Sequence, residues 1–233
     1  DRLANNQIDL TRMPIEVAPI AHYHMGGVIA DERMATEVAG LFVAGEAVGG
    51  ANGANRLSGN AITEALVFGR RAGRSAAERV KRMPTHPFGA EAARPTIDLI
   101  AASGDGDDLN TAAMIERLQA TMADDVGPLR TQARLARALA AIDEMTRTLG
   151  ARPMGDNKPF DLRRLDWFDL RNMLLVARAV TMSALARGES RGAHQREDLP
   201  GMLSQWRLNQ VARLESGGLA LTPAPVVTPA AAQ

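Results

Sequence analysis

Between Gly40 and Arg70 the chain reads GLFVAGEAVGGANGANRLSGNAITEALVFGR. Leu41 to Ala44 form a short apolar run that reads as a buried strand. A glycine- and asparagine-rich turn occupies Gly45 to Gly59, and a helix begins near Asn60. Glycine lets backbone approach a ligand closely, because no Cβ holds it off. A helix start adds unpaired N–H groups and a partial positive charge. Glu46 and Arg56 are the only charged side chains in that turn. A strand, a glycine-rich loop and a helix in this order are built to receive a flat or anionic group.

The remaining pattern divides the chain. Met13 to Ile20 alternates around two prolines and reads as an edge strand. Ala21 to Ala30, AHYHMGGVIA, reads as strand, turn and strand, with His22 and His24 on one face. A metal site on that pair would need three or four convergent ligands, and only His86 and His194 remain. A histidine that hydrogen-bonds a substrate is the stronger functional reading, beside the plain one of a structural histidine and an exposed one. The helix over Asn60 to Lys81 carries Ile62, Leu66, Val67 and Ala72 as an apolar stripe, with Gly69 and Gly73 open to a close neighbour. Its arginine-rich C-terminal half suits the helix dipole and reads as a solvated face.

Met83 to Pro95 has three prolines and no apolar period, so it reads as a linker. Three amphipathic helices are expected beyond it, over about Asp108 to Ala123, Thr131 to Leu149 and Asp166 to Arg187. Their inward positions are Leu109, Ala112, Ile115, Leu118 and Met122; then Leu135, Leu139, Ile142, Met145 and Leu149; then Leu170, Met173, Leu174, Ala177 and Val180. Gly150 and Gly188 read as stops, and three such stripes make a bundle. Gly188 to Pro200 is charged and loop-like, Gln205 to Leu221 reads as a hairpin around a Gly-Gly turn, and Thr222 to Gln233 as an extended tail.

Charge and composition exclude several classes. Lys and Arg total 27 against 27 Asp and Glu, so no net field argues for nucleic acid or an anionic membrane. With no cysteine there is no disulfide, no thiolate nucleophile and no iron–sulfur cluster held by this chain. The most apolar helical stretch, Trp167 to Ala186, contains Asp169, Arg171 and Arg178, which argues against insertion in a membrane. The sequence opens at Asp1 without an initiator methionine and reads as part of something longer.

Four motifs in order, AHYHMGG, GLFVAGEAVGGANGANRLSGNAI, MADDVGPLR and ESRGAHQRED, resemble the C-terminal half of the succinate dehydrogenase/fumarate reductase flavoprotein family. L-aspartate oxidase and adenylylsulfate reductase are its relatives. The resemblance implies an α+β or α/β chain: a partial, Rossmann-like FAD-binding domain lacking its N-terminal half, then a three-helix bundle and a short β hairpin. The implied layout is the end of a capping domain over residues 1–20 and the returning part of the FAD domain over 21–83. A linker (84–102), the three-helix domain (103–188), loop and hairpin (189–221) and tail (222–233) follow.

The resemblance also implies roles. His22 and Arg56 bind a substrate carboxylate, His24 being the variable position. Glu46 contacts the flavin nucleotide, and Asn60, Ala61 and Ile62 lie at the helix start that meets the flavin ring. The cofactor is FAD and the substrate a small dicarboxylate. The partners are the missing N-terminal half and an iron–sulfur electron-transfer subunit, in a cytoplasmic protein that reaches the membrane peripherally through that subunit. The implied proton-delivering arginine and the flavin-tethering histidine lie upstream. The sequence departs from the family at two points: no GxGxxG fingerprint is present, and Asn52 stands where many members have histidine, which leaves the substrate class open. Beside the enzymatic reading stands a non-catalytic one, in which the helical domain docks a partner.

Overall fold

The computed structural model describes residues 5–16, 22–83, 89–104, 109–155, 158, 160–216 and 218–226. They form two compact units, Asp1–Pro84 and Thr85–Gln233. Among the described residues, five helices from Asn60 onward and two small two-stranded sheets make a mixed fold.

In the first unit the glycine-rich stretch folds as expected at its helix but not at its strand. Helix α1 spans Asn60–Arg82, within a residue of the expected range. Leu41 to Ala44 form no strand. Phe42 makes a single antiparallel bridge to Ala35, flanked by bonds from Thr36 N to Leu41 O and from Val43 N to Met34 O, both 3.0 Å. Leu41 is 52% exposed and Phe42 to Ala44 are half-buried, and among the described residues the run has no second neighbour that would extend the ladder. The strands expected over residues 13–16 and 22–30 are likewise absent, apart from a parallel bridge between Val28 and Val48; residues 17–21 lie outside the described residues.

That bridge explains two glycines. Val28 N donates to Ala47 O (2.8 Å) and Gly49 N donates to Val28 O (3.0 Å). A Cβ on Gly27 would lie 2.5 Å from Ala47 O, and one on Gly49 would lie 2.8 Å from Gly27 N, so neither position admits a side chain.

The apolar stripe of α1 corrects the expectation. Ala72 is buried, but Ile62, Leu66 and Val67 are exposed, the first two at 70% and 69%. Gly69 and Gly73 have nothing within 4 Å of a would-be Cβ.

The second unit is a helical core. Helix α2 spans Ala90–Ala101, α3 Thr111–Asp125, α4 Gln132–Leu149 and α5 Leu162–Ala186. Helix α2 replaces most of the expected linker, and it runs through Pro95. The buried Arg164 accounts for its end: the guanidinium donates to the carbonyl of Ile100 and, at 2.7 Å, to that of Ala102. These are the carbonyls a helix leaves unpaired at its C-terminus.

Helices α3, α4 and α5 match the three expected ones to within four residues at either end. Each starts on a polar cap, Asn110, Thr131 and Asp161, whose side chain accepts from a backbone N–H of the first turn. Gly150, at φ 73°, follows the end of α4. Leu118, Ile142, Met145, Leu149, Trp167, Leu170, Leu174 and Ala177 share one core. The Trp167 indole N–H reaches Leu149 O at 3.1 Å, which satisfies the one polar atom that the ring would otherwise bury. Ala112 and Val180, expected inward, are exposed.

Strands β1 (Leu129–Arg130) and β2 (Gln195–Arg196) pair in parallel. Strands β3 (Leu208–Glu215) and β4 (Gly218–Pro225) form the expected hairpin, with Glu215 opposite Gly218. Its second strand takes in Thr222 to Pro225, which were expected to be tail; residues 227–233 lie outside the described residues.

Candidate functional site

The expected site residues lie in the first unit. Gly59 holds a left-handed conformation (φ 90°) at the N-cap of α1, where no side chain caps the helix and the first turn carries no acid. The N–H groups of the first turn, at Ala61 and Ile62 among others, are therefore left without the side-chain acceptor that caps α3, α4 and α5. Would-be Cβ atoms at Gly50, Gly53 and Gly59 meet nothing within 4 Å. The loop is open on the side of the helix start.

Arg56 reaches this region from the loop. Its guanidinium lies over the ring of Tyr23, 4.4 Å from the centroid, while Nη1 donates to Leu57 O at 2.9 Å. Its Nε is buried and has no partner among the described residues. Among the described residues no hydrogen bond joins Arg56 to His22; the link runs through Tyr23, the next residue after His22. His22 and His24 are exposed. Glu46, at the centre of the 3₁₀ turn Gly45–Ala47, accepts from the backbone N–H of His24 at 2.9 Å. The AHYHMGG segment is thus tied to the glycine-rich loop from two directions.

Two residues at this junction had no assigned role. Tyr23 OH donates to Glu64 Oε2 at 2.6 Å, and Asn52 Nδ2 donates to both oxygens of Glu64, at 3.2 and 3.3 Å. The hydrogen bond to Glu64 raises the Tyr23 phenol above its usual range, with burial and the carboxylate charge adding to it. Tyr23 is the sole tyrosine of the chain and sits between the two histidines, a signal the sequence carried. Glu64 carried none.

The ESRGAHQRED motif builds something else. Glu189 is buried and accepts from Arg191 (2.5 and 3.0 Å), Arg187 (3.0 Å) and Leu203 N (2.7 Å). The Arg191 bonds dominate the shift of its carboxyl, which is lowered to about 2 in spite of burial. Arg196, also buried, forks onto Asp198 at 2.8 and 2.9 Å. His194 Nδ1 lies 2.7 Å from Arg130 Nη1. A guanidinium can only donate, so the ring accepts there and is neutral; burial and the Arg130 charge both lower its pKa. The stretch expected to be a charged loop is an internal joint, with Glu189, Ser190 and Arg196 buried. No group of three or more metal-ligating side chains occurs among the described residues.

Residues 115–230 match a family described as fumarate reductase flavoprotein C-term, and residues 2–62 match an FAD binding domain. The chain belongs to the succinate dehydrogenase/fumarate reductase flavoprotein family. One subunit of the fumarate reductase (CoM/CoB) of Methanothermobacter marburgensis is 39% identical over 203 residues, 86% of this chain and 36% of that one. An L-aspartate oxidase of Rhodospirillum rubrum is 43% identical over 195 residues, 83% of this chain and 61% of that one. The solved structure of Mycobacterium smegmatis Sdh1 superposes with a TM-score of 0.84 at 34% identity, covering 98% of this chain and 39% of that one. This family member therefore spans between about a third and three fifths of the length of these relatives.

FAD is the cofactor of the family, and the residues present fit one side of it. The uncapped start of α1, the open glycine loop and the unpartnered Arg56 Nε together suit a flat group bearing partial negative charge.

Proposed function

We propose that this chain supplies the substrate clamp and the flavin-facing helix start of an FAD-dependent oxidoreductase that interconverts a small dicarboxylate and its unsaturated product. The flavin, when bound, supplies the capacity to accept or donate hydride. The chain positions and polarises. Arg56 offers a planar fork to one substrate carboxylate, and His22 a second donor. The N–H groups at Ala61 and Ile62, beside Asn60, stabilise negative charge at the ring, and Glu46 faces the nucleotide.

The observation that carries this reading is Arg56: held flat on Tyr23, with a buried Nε left unpartnered. The experiment is Arg56→Ala in the flavin-loaded full-length protein. Turnover on succinate or fumarate should fall by about a hundredfold or more, the loss of a charge-assisted bidentate contact, while the flavin absorbance stays. Undiminished turnover would remove Arg56 from the site.

A second substrate reading has its own support, the 43% identity to an L-aspartate oxidase together with Asn52 in the loop. A substrate panel separates the two: strict preference for an amino-dicarboxylate selects the second. No helix among the described residues is long and apolar enough to cross a membrane. We assign the proton-delivering arginine to the preceding part of the protein, and propose that an iron–sulfur subunit serves as electron partner and as the route to a membrane surface.

A further inference from the structure

Glu64 stands at the centre of the junction without touching Arg56. One carboxylate ties three segments together: it accepts from Tyr23 OH in the AHYHMGG segment and from Asn52 in the glycine loop, and it is itself part of α1. Among the described residues it forms no ion pair with Arg56. Arg56 instead rests on the face of Tyr23, a stacking that holds a guanidinium without occupying its donors. A carboxylate paired directly with Arg56 would compete with an incoming one. A carboxylate one residue removed fixes the platform and takes up none of the fork's donors: Nη1 is held by Leu57 O, and Nε has no partner among the described residues.

We propose that Glu64 is a positioning residue for substrate binding: it anchors the Tyr23 phenol and the Asn52 amide so that the Arg56 fork stays open toward a ligand carboxylate. This rests on the reading of Arg56 as the carboxylate ligand. Glu64 needs no contact with substrate and no change of protonation in this role. The platform is the Tyr23 ring, and Glu64 sets its orientation through the phenol oxygen.

Two readouts test it. The 233-residue chain holds a single tyrosine, so an absorbance titration of its phenolate reports Tyr23 alone. Glu64→Gln should move that titration down toward the ordinary value of about 10, and an unchanged titration would overturn the proposal. In the flavin-loaded full-length protein, Glu64→Gln and Tyr23→Phe should each weaken malonate binding, measured by calorimetry, by about tenfold. They should raise KM for the dicarboxylate by a similar factor and leave kcat within about threefold.

In an Arg56→Ala background, Glu64→Gln should add nothing, because the route to substrate is already cut. If Glu64→Gln weakens binding as much there as in the parent, its role is generally structural and the proposal fails. If Arg56→Ala weakens malonate binding and Glu64→Gln does not, this proposal fails alone. If Arg56→Ala leaves binding unchanged, the dicarboxylate reading fails and takes this one with it.

Discussion

In the helical unit thirteen hydrophobic side chains besides Pro153 are buried among the described residues, and Leu135, Ala138, Ile142 and Leu170 have no exposed surface at all. The unit built around α1 buries two among its described residues, Met34 and Ala72, while Leu57, Ile62, Leu66 and Val80 are each about 70% exposed. The first draws its stability from side chains meeting one another, at roughly 1.5–3 kcal/mol for each large apolar group buried. The second is held by backbone bridges, by glycine contacts and by a few polar side chains around Glu64. A helix whose apolar residues face outward gets little from tertiary packing, which is where most helical stability in proteins originates. The unit that carries the candidate site is the loosely packed one, and its apolar surface is oriented for something other than its own core.

Substitutions can break or sharpen this contrast. The largest effect belongs to Trp167→Ala. It removes a fully buried ring and its bond to Leu149 O, and should cost about 3–5 kcal/mol in a thermal melt of the helical unit. Glu189→Gln comes next, at about 3 kcal/mol, because Arg187 and Arg191 lose the buried charge they share. Its pH signature has a definite sign. The folded carboxyl sits at about 2, below its ordinary 4.5, so its stabilisation is complete above about 4.5 and is lost as pH falls from there toward 2. The Gln variant should show a flatter acid limb over that window in circular dichroism.

Gly27→Ala should cost about 1–3 kcal/mol in the first unit, since the new Cβ would meet the backbone of residues 47–49 at 2.5–2.9 Å and overpack it. Amide exchange around Val28 and Val48 would report it. The smallest effect is Leu66→Ala, within about 0.5 kcal/mol, as for other exposed positions. A loss of several kcal/mol there would show that α1 is packed, and the contrast would collapse.

What the sequence disclosed follows the same division. Helices α3, α4 and α5 were legible because their core positions recur every three or four residues between polar caps and glycine stops. Helix α2 was not, because three prolines dominate its neighbourhood. Its end is secured by Arg164, more than sixty residues away. The charged run from Gly188 to Pro200 read only as a charged loop, since local pattern cannot show that Glu189 and Arg196 find partners and turn inward. At the site, the motif placed Arg56, His22 and Glu46 on segments that the structure ties together. The Tyr23–Glu64 bond spans 41 residues and left no periodic trace.

The parallel pair of β1 and β2 has a topological consequence. Leu129 and Arg130 meet Gln195 and Arg196, Glu197 N reaches Arg130 O at 2.8 Å, and Gln132 N reaches Asp198 at 2.7 Å. The helical hairpin of α4 and α5 is therefore a lasso with its neck knotted by hydrogen bonds. A protease that nicks the connection around residues 151–160 would release no fragment: the two pieces would stay clasped at the neck as well as through their shared core, and would co-migrate until denatured.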